Sequence, residues 1–138
     1  MKRIIKDYKK WMGVKSKLNN SGPRRSIKEG EIWWAAMGEN VGVEIDGKNE
    51  KYSRPVIIFK KHSNLCFTAI PLTSKKHNGS WYAQFGFQEK NQTAILIQAR
   101  LMDSTRLYER MGKMSNGDFW EVTKRYLELF KPKNMPQS

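Results

Sequence analysis

The side chains of this 138-residue chain that could carry chemistry are arginines and hydroxyls next to apolar segments. Arg54 stands immediately before one such segment, Thr73 and Ser74 immediately follow another, and Arg100 lies near the end of a third, with Asp103 three residues further on. A guanidinium offers five N–H donors in a fixed fork that fits a phosphate, and hydroxyls can donate to its non-bridging oxygens. Because strand ends are held by a sheet yet remain open to a ligand, this set predicts chemistry at a phosphodiester. The ordinary alternative is that any small sheet carries Arg and Thr at its rim.

Other kinds of catalytic site lack the residues they need. One cysteine, Cys66, and two histidines, His62 and His77, do not form a metal-ligand cluster, a Cys-His pair or a Ser-His-Asp triad. No GxxxxGK[ST] or GxGxxG loop occurs, so a nucleotide cofactor has no support. We therefore expect no metal and no cofactor, and we expect both histidines at the surface.

The charge of the chain is unevenly distributed. The whole chain has 26 Lys and Arg against 13 Asp and Glu, a net charge of +13, and residues 1–29 alone contribute ten basic and two acidic side chains, or +8. Such an excess favours a polyanionic partner, with nucleic acid ahead of acidic lipid or an acidic protein. No apolar run has the roughly 18–20 residues that span a bilayer, so we expect no membrane span and a cytoplasmic location.

Residues 1–29 form a basic N-terminal extension. Apolar residues recur in it at helical spacing, which predicts a short amphipathic helix, followed by a linker at residues 19–23. The apolar residues of this helix are Ile4, Ile5, Tyr8, Trp11 and Met12. Two interpretations are open: the helix packs on the rest of the protein or on a partner chain, or it is an arm for a membrane surface or a nucleic acid.

From Gly30 onward the pattern is that of a small β-rich domain, residues 30–131, with a loose tail at residues 132–138. Short runs rich in β-branched and aromatic residues, each bounded by turn-forming or charged residues, predict five strands and hence a strongly bent sheet or barrel. These runs are Glu31–Met37, Pro55–Lys61, Cys66–Leu72, Trp81–Phe87 and Thr93–Leu101. Gly38–Arg54 is predicted to be a long, mobile loop. A helix is predicted from Ser115 or Asn116 to about Phe130, where Pro132 ends it. Its apolar face would hold Phe119, Val122, Tyr126, Leu129 and Phe130.

Six segments, in this order, resemble the MazF/PemK toxins over Gly30 to about Phe130. They are GEIWW at residues 30–34, GENVGVE at 38–44, SRPVII at 53–58, PLTSK at 71–75, QARLMD at 98–103 and RMGKMS at 110–115. The resemblance implies an α+β fold rich in β-structure: a small SH3-like barrel of the CcdB/PemK type with a C-terminal helix. To this barrel the present chain adds its N-terminal extension. The resemblance also implies a homodimer, endoribonuclease activity on single-stranded RNA, and an antitoxin peptide that fills the RNA groove.

Carried over residue by residue, the family's catalytic Arg falls on Arg54 and its strand-end Thr on Thr73, with Ser74 beside it. Its later Arg falls on Arg100, with Asp103 as a companion. The acid of its Gly-x-Glu motif falls on Glu44. The gap between Glu44 and Arg54 is longer than in the common family version.

The implied reaction is metal-independent cleavage, in which the 2′-hydroxyl attacks the adjacent phosphate and leaves a 2′,3′-cyclic phosphate and a 5′-hydroxyl end. Glu44 and Asp103 are the candidates for the general base. For RNA binding we predict stacking on Trp81 and Tyr82 and contacts from Lys75 and Lys76. The alternative is that Trp33, Trp34 and Trp81 belong to the core. A competing function is a non-catalytic module that binds nucleic acid or inhibits a protein target.

Overall fold

The computed structural model of the protein describes residues 25–38 and 53–134. The predicted N-terminal helix, most of the predicted loop, Glu44 and residues 135–138 lie outside the described residues. Within the described part, no helix has the length and apolar character needed to span a membrane.

Seven strands and one long helix make up the described structure. In chain order they are β1 Glu31–Ala36, β2 Ser53–Lys61, β3 Cys66–Thr73, β4 Tyr82–Phe87, β5 Lys90–Ile95, β6 Arg100–Asp103, β7 Leu107–Lys113 and α1 Asn116–Leu129. Short 3-10 turns at Leu96–Gln98 and Ser104–Arg106 precede β6 and β7.

The strands form one curled antiparallel sheet in the order β4-β5-β3-β2-β1-β7. Strand β3 uses one edge twice: its first half pairs with β6, from Cys66 with Asp103 to Ala69 with Arg100, and its last two residues pair with β5. The prediction of a β-rich barrel with a C-terminal helix is therefore confirmed.

The central strands are apolar on both faces because the sheet has a buried cluster on each side. Along β2, Val56 and Ile58 point to the first cluster and Ile57 to the second, as the two-residue period of a strand requires. The first cluster contains Ile27, Trp33, Ala35, Met37, Val56, Ile58, Phe67, Ala69, Met102 and Leu107. The second contains Ile32, Ile57, Ile70, Leu72, Ala83, Phe85, Ala94, Leu96, Met114 and Val122.

Helix α1 covers the second cluster. Ser115 caps it, with its hydroxyl accepting from the Asp118 N–H at 3.1 Å, and the carboxylate of Asp118 lies in the first turn, where the helix dipole favours a negative charge. The predicted bounds and apolar face are confirmed except at Phe130, which follows the last helical residue and is 54% exposed.

One predicted strand was wrong, and one observed strand was not predicted. The run Thr93–Leu101 is not one strand: β5 ends at Ile95, and a 3-10 turn then turns Leu96 into the second cluster before β6 begins. Burial of Leu96 compensates for the break, which no Gly or Pro marks in the sequence. Strand β7 was missed because Leu107–Lys113 carries too many charged and flexible residues to show apolar alternation.

A buried carboxylate ties the start of β1 to β7. Glu31 accepts hydrogen bonds from the backbone N–H of Lys28 at 2.8 Å, from Trp33 Nε1 at 3.1 Å and from Arg110 Nε at 2.7 Å. Burial raises the pKa of Glu31, but these hydrogen bonds and the charge of Arg110 outweigh burial, so its pKa lies below the usual value.

Candidate active site

A cavity of about 280 Å³ opens at the end of the second cluster, where β2 begins and β3 ends. Apolar and polar side chains both line it, and the polar residues Arg54, Thr73 and Gln92 are each at most 9% exposed. The lining residues are Trp34, Arg54, Pro55, Leu72, Thr73, Ser74, Phe87, Gln88, Lys90, Gln92 and Met111. The cavity thus brings Arg54 together with Thr73 and Ser74, which follow it by 19 and 20 residues in the sequence.

Arg54 is held by the sheet rather than by solvent contacts. It is the second residue of β2, pairs with Ala35 of β1, and is only 7% exposed. Its Nη1 donates to the carbonyl of Leu72 at 3.1 Å, which fixes the guanidinium beside the end of β3. A buried arginine with a fork of five donors can present N–H groups to a phosphate without first becoming ordered.

Thr73 is the last residue of β3 and is 6% exposed. Its Oγ1 accepts a hydrogen bond from the backbone N–H of Lys75 at 3.2 Å. Because the oxygen accepts this bond, the hydroxyl proton can be donated to a ligand. Ser74 follows on the exposed side of the cavity mouth.

Directly across from Thr73 lies Thr93 of β5, which sequence reasoning did not single out. The Thr93 side chain is fully buried, and no other residue of the described ranges hydrogen-bonds its Oγ1. The hydrophobic pattern that predicted a strand from Thr93 gave no sign of this, since threonine fits a strand whether or not its hydroxyl is satisfied.

The β4–β5 hairpin closes one wall of the cavity. Gln88 and Glu89 form its turn with φ values of 51° and 63°, the left-handed pair typical of a two-residue type I′ hairpin, where Asn-Gly is the usual sequence. The Gln88 carboxamide donates to the Met111 carbonyl at 2.7 Å and so ties the turn to β7. Sequence reasoning missed Lys90 and Gln92 in this wall because the unusual turn hid the start of β5.

Arg100 and Asp103 do not line this cavity. They pair with Ala69 and Cys66 of β3, so along the strand Arg100 lies about 13 Å and Asp103 about 23 Å from the position of Thr73. Asp103 Oδ1 accepts from the N–H and the hydroxyl of Thr105 at 2.9 and 2.7 Å.

Arg106 joins these two residues in a second group of charges. Burial, together with the charge of Arg100, lowers the pKa of Arg106, and Asp103 opposes this in part. Arg106 Nη1 donates to the carbonyl of Ala36 at 3.0 Å.

The predicted RNA-contacting residues lie on the connection from β3 to β4 and on the first residue of β4. Lys75 and Lys76 are exposed, and Trp81 is 53% exposed, so the core interpretation of Trp81 was wrong. Tyr82 is half-buried and stacks on His77 with ring centroids 4.7 Å apart. Trp81 and Tyr82 line a separate depression with residues 77–80.

The other two tryptophans differ from Trp81. Trp33 is 6% exposed and belongs to the first cluster, as the core interpretation predicted, whereas Trp34 is half-buried and forms part of the cavity wall.

The histidines and acids of the described part do not assemble into a metal site. Within residues 25–38 and 53–134, no group of three or more His, Cys, Asp or Glu side chains could hold a metal ion. His62 is exposed, with Nε2 at 2.7 Å from Thr68 Oγ1, and His77 is half-buried.

Solved structures share this fold at low sequence identity. An endoribonuclease in complex with its cognate antitoxin from a mycobacterial species is 11% identical, with a TM-score of 0.61, and the match covers 79% of this chain and 100% of that one. MazF from Deinococcus radiodurans is 17% identical, with a TM-score of 0.62 and coverage of 75% and 94%. The MazE-MazF structure from the same organism is 13% identical, with a TM-score of 0.58 and coverage of 76% and 95%.

Sequence comparisons assign the family. A comparison with curated protein sequences finds no significant match. The sequence profile of the PemK-like, MazF-like toxins of type II toxin-antitoxin systems matches residues 28–130, about three quarters of the chain. The chain therefore belongs to the PemK-like, MazF-like toxin family of type II toxin-antitoxin systems.

Proposed function

We propose that the protein is a cytoplasmic endoribonuclease that cleaves single-stranded RNA without a metal ion and is held inactive by a cognate antitoxin. The observation that carries the proposal is that Arg54 and Thr73 line the same cavity. Membership of the toxin family and a fold shared with an endoribonuclease–antitoxin complex support it.

In the proposed reaction the RNA supplies its own nucleophile. The 2′-oxygen attacks the adjacent phosphorus, the P–O5′ bond breaks, and the products are a 2′,3′-cyclic phosphate and a 5′-hydroxyl. Arg54 stabilises the extra negative charge of the phosphorane, and Thr73 and Ser74 donate to its non-bridging oxygens. Removing one such donor commonly slows a reaction by about 10²–10³-fold.

The proton of the 2′-hydroxyl needs an acceptor, and a proton must reach the departing 5′-oxygen. Arginine keeps its proton in proteins and so cannot serve as the base. We assign the base role to Glu44, the acid of the Gly-x-Glu motif. Water supplies the proton to the leaving 5′-oxygen, while Arg54 donates a hydrogen bond to that oxygen and keeps its own proton. Asp103 was the other candidate, but it caps a 3-10 turn outside the cavity.

RNA flanking the cleaved phosphate would follow the connection from β3 to β4. We expect the exposed side chains of Lys75 and Lys76 to contact phosphates there, and unpaired bases to stack on the exposed ring of Trp81 and the half-buried ring of Tyr82.

A homodimer is part of the proposal, and the outer face of α1 supports the need for a partner. Trp120 and Leu127 lie on this face with 62% and 59% of their surface exposed, and Phe130 follows with 54%. Contiguous exposed apolar side chains of this size mark an interaction surface. A solution mass equal to that of one 16.2 kDa chain would contradict the dimer.

The test is cleavage of a long single-stranded RNA in EDTA by the parent and by Arg54→Ala. We expect the parent to cleave and the variant to be slower by at least about 10²-fold. Lys60→Ala is the matched control, because it also removes one positive charge but from an exposed side chain outside the cavity, where Lys60 Nζ lies 3.7 Å from the Glu29 carboxylate. Equal cleavage by parent and Arg54→Ala would refute the assignment. Tight binding by a parent that leaves RNA intact would instead support the non-catalytic module.

A further inference from the structure

Gln92 places a largely buried carboxamide in the wall of the cavity that also contains Arg54. The residue is 9% exposed, and within the described residues its side chain has no hydrogen-bond partner. The carboxamide of Gln88 in the same wall differs, because its Nε2 already donates a hydrogen bond to the Met111 carbonyl at 2.7 Å. Among the described residues, Thr93 Oγ1 is the one fully buried side-chain N or O atom without a partner, so the Gln92 carboxamide still meets the solvent of the cavity. A ligand in the cavity can replace that solvent and take up the free donor and acceptor of Gln92.

The surroundings of Gln92 fit a flat, partly polar ligand. Trp34, Phe87 and Met111 form apolar walls, and Lys90 lies at the exposed rim. The cavity volume of about 280 Å³ lies just below the range of about 300–1,000 Å³ that is typical of small-ligand sites. The cavity therefore admits one base and not an oligonucleotide.

The shared cavity sets where that base lies relative to the phosphate. Gln92 lines the same cavity of about 280 Å³ as Arg54 and Thr73. Because so small a cavity keeps its walls close together, a base held by Gln92 belongs to the nucleotide next to the phosphate that Arg54 and Thr73 would hold.

We propose that Gln92 is a specificity-determining residue that reads the edge of the base next to the cleaved phosphate, an inference that rests on the proposed RNA cleavage. A carboxamide carries a donor and an acceptor side by side, and so it pairs with a base edge that presents an acceptor and a donor side by side. In single-stranded RNA the edges of unstacked bases are available for this contact.

The test is the base profile of cleavage sites in a randomised RNA, read by sequencing the product ends. Gln92→Met keeps the length of the side chain but removes its donor and acceptor. We expect the parent to prefer certain bases at a position flanking the cleaved bond, and Gln92→Met to reduce that preference about tenfold at this position alone. Gln92→Glu replaces the donor by a second acceptor, so we expect the preference to move toward guanine, whose Watson–Crick edge carries two adjacent donors.

Gln84→Met is the matched control. Gln84 lies on the neighbouring strand β4 but outside the cavity, where its carboxamide donates to the His77 carbonyl at 2.7 Å. The control should keep the parent profile, and tryptophan fluorescence shows whether each variant is folded. If Gln92→Met does not fold, Gln92→Glu decides.

Each outcome separates this inference from the function on which it rests. Cleavage by the parent with a profile that both Gln92 variants keep, or that Gln84→Met changes equally, overturns the role of Gln92 and leaves the endoribonuclease proposal intact. Cleavage without any base preference also overturns it. A parent that leaves the RNA intact overturns both proposals.

Discussion

Replacing Thr93 by valine should make the protein more stable. The Thr93 side chain is fully buried and its hydroxyl has no hydrogen-bond partner in the part of the chain that the structure describes, whereas in the unfolded chain the same hydroxyl is hydrated. Burying a hydroxyl without a partner costs about 1–3 kcal/mol in protein mutants. Valine has nearly the same shape and removes this cost, so we expect the free energy of unfolding to rise by about 1–2 kcal/mol.

Urea unfolding followed by tryptophan fluorescence measures this change. A gain of 1 kcal/mol corresponds to a rise of about 4–8 °C in the Tm of a domain of roughly 100 residues, so a thermal melt gives an independent check. The urea midpoint should rise while the slope of the transition stays the same, because the surface exposed on unfolding does not change.

Thr93→Ser is the matched control for this prediction. It keeps the unpaired hydroxyl and removes a buried methyl, so we expect a loss of about 1 kcal/mol. A valine variant that is less stable than the parent would refute the reasoning, because it would mean that the hydroxyl makes a favourable bond in the folded protein.

Two further predictions concern the strands that support the site. Glu31→Gln should lower the free energy of unfolding by about 1–3 kcal/mol at pH 7, because the carboxylate accepts three hydrogen bonds. Because folding lowers the pKa of Glu31, its contribution to the free energy of unfolding is complete above the ordinary pKa of 4.5. The contribution is lost as the pH falls through the lower pKa of the folded state. The acid-unfolding curves of parent and variant should therefore converge as the pH falls below about 4.5. Gly112→Ala should cost about 1–3 kcal/mol in urea unfolding, since Gly112 has a φ of +155° and a Cβ there would lie 2.9 Å from Phe87 Cζ. Gly86→Ala is the control: Gly86 lies on β4 next to Phe87, and no atom of the described residues other than its chain neighbours lies within 4 Å of an added Cβ. We expect this variant to stay within about 0.5 kcal/mol of the parent, and equal losses in the two variants would contradict the role given to the close approach at Gly112.

Local patterns were sufficient where the sequence signal and the tertiary structure agree. The apolar runs at β1, β2 and β3 and the Ser115-capped helix were predicted because their alternation, helical spacing and capping residue are the features that burial selects. The break between β5 and β6 was not predicted. The free energy gained by burying Leu96 depends on the second cluster, which is formed by residues distant in sequence.

The residues of the candidate site also differ in whether local sequence patterns were sufficient to identify them. Arg54, Thr73 and Ser74 were identified from their places at strand ends and from the family resemblance, and the structure brings them to one cavity. Gln92 and Thr93 were not identified, because Gln92 is distinguished by its place in the cavity wall and Thr93 by a buried hydroxyl that no described residue hydrogen-bonds, and both features depend on tertiary contacts. Arg100 and Asp103 were grouped with the site because they lie near the end of a predicted strand and match the family's later Arg and its companion, but the pairing of β6 with β3 leaves them outside the cavity.

The most direct test of the central claim is the chemistry of the product ends. A defined single-stranded RNA is incubated with the purified parent in EDTA, and the fragments are analysed by mass spectrometry. The account predicts 2′,3′-cyclic phosphate and 5′-hydroxyl ends, and no such fragments with Arg54→Ala on the same timescale. Fragments with 5′-phosphate ends, or RNA left intact by the parent, would contradict it.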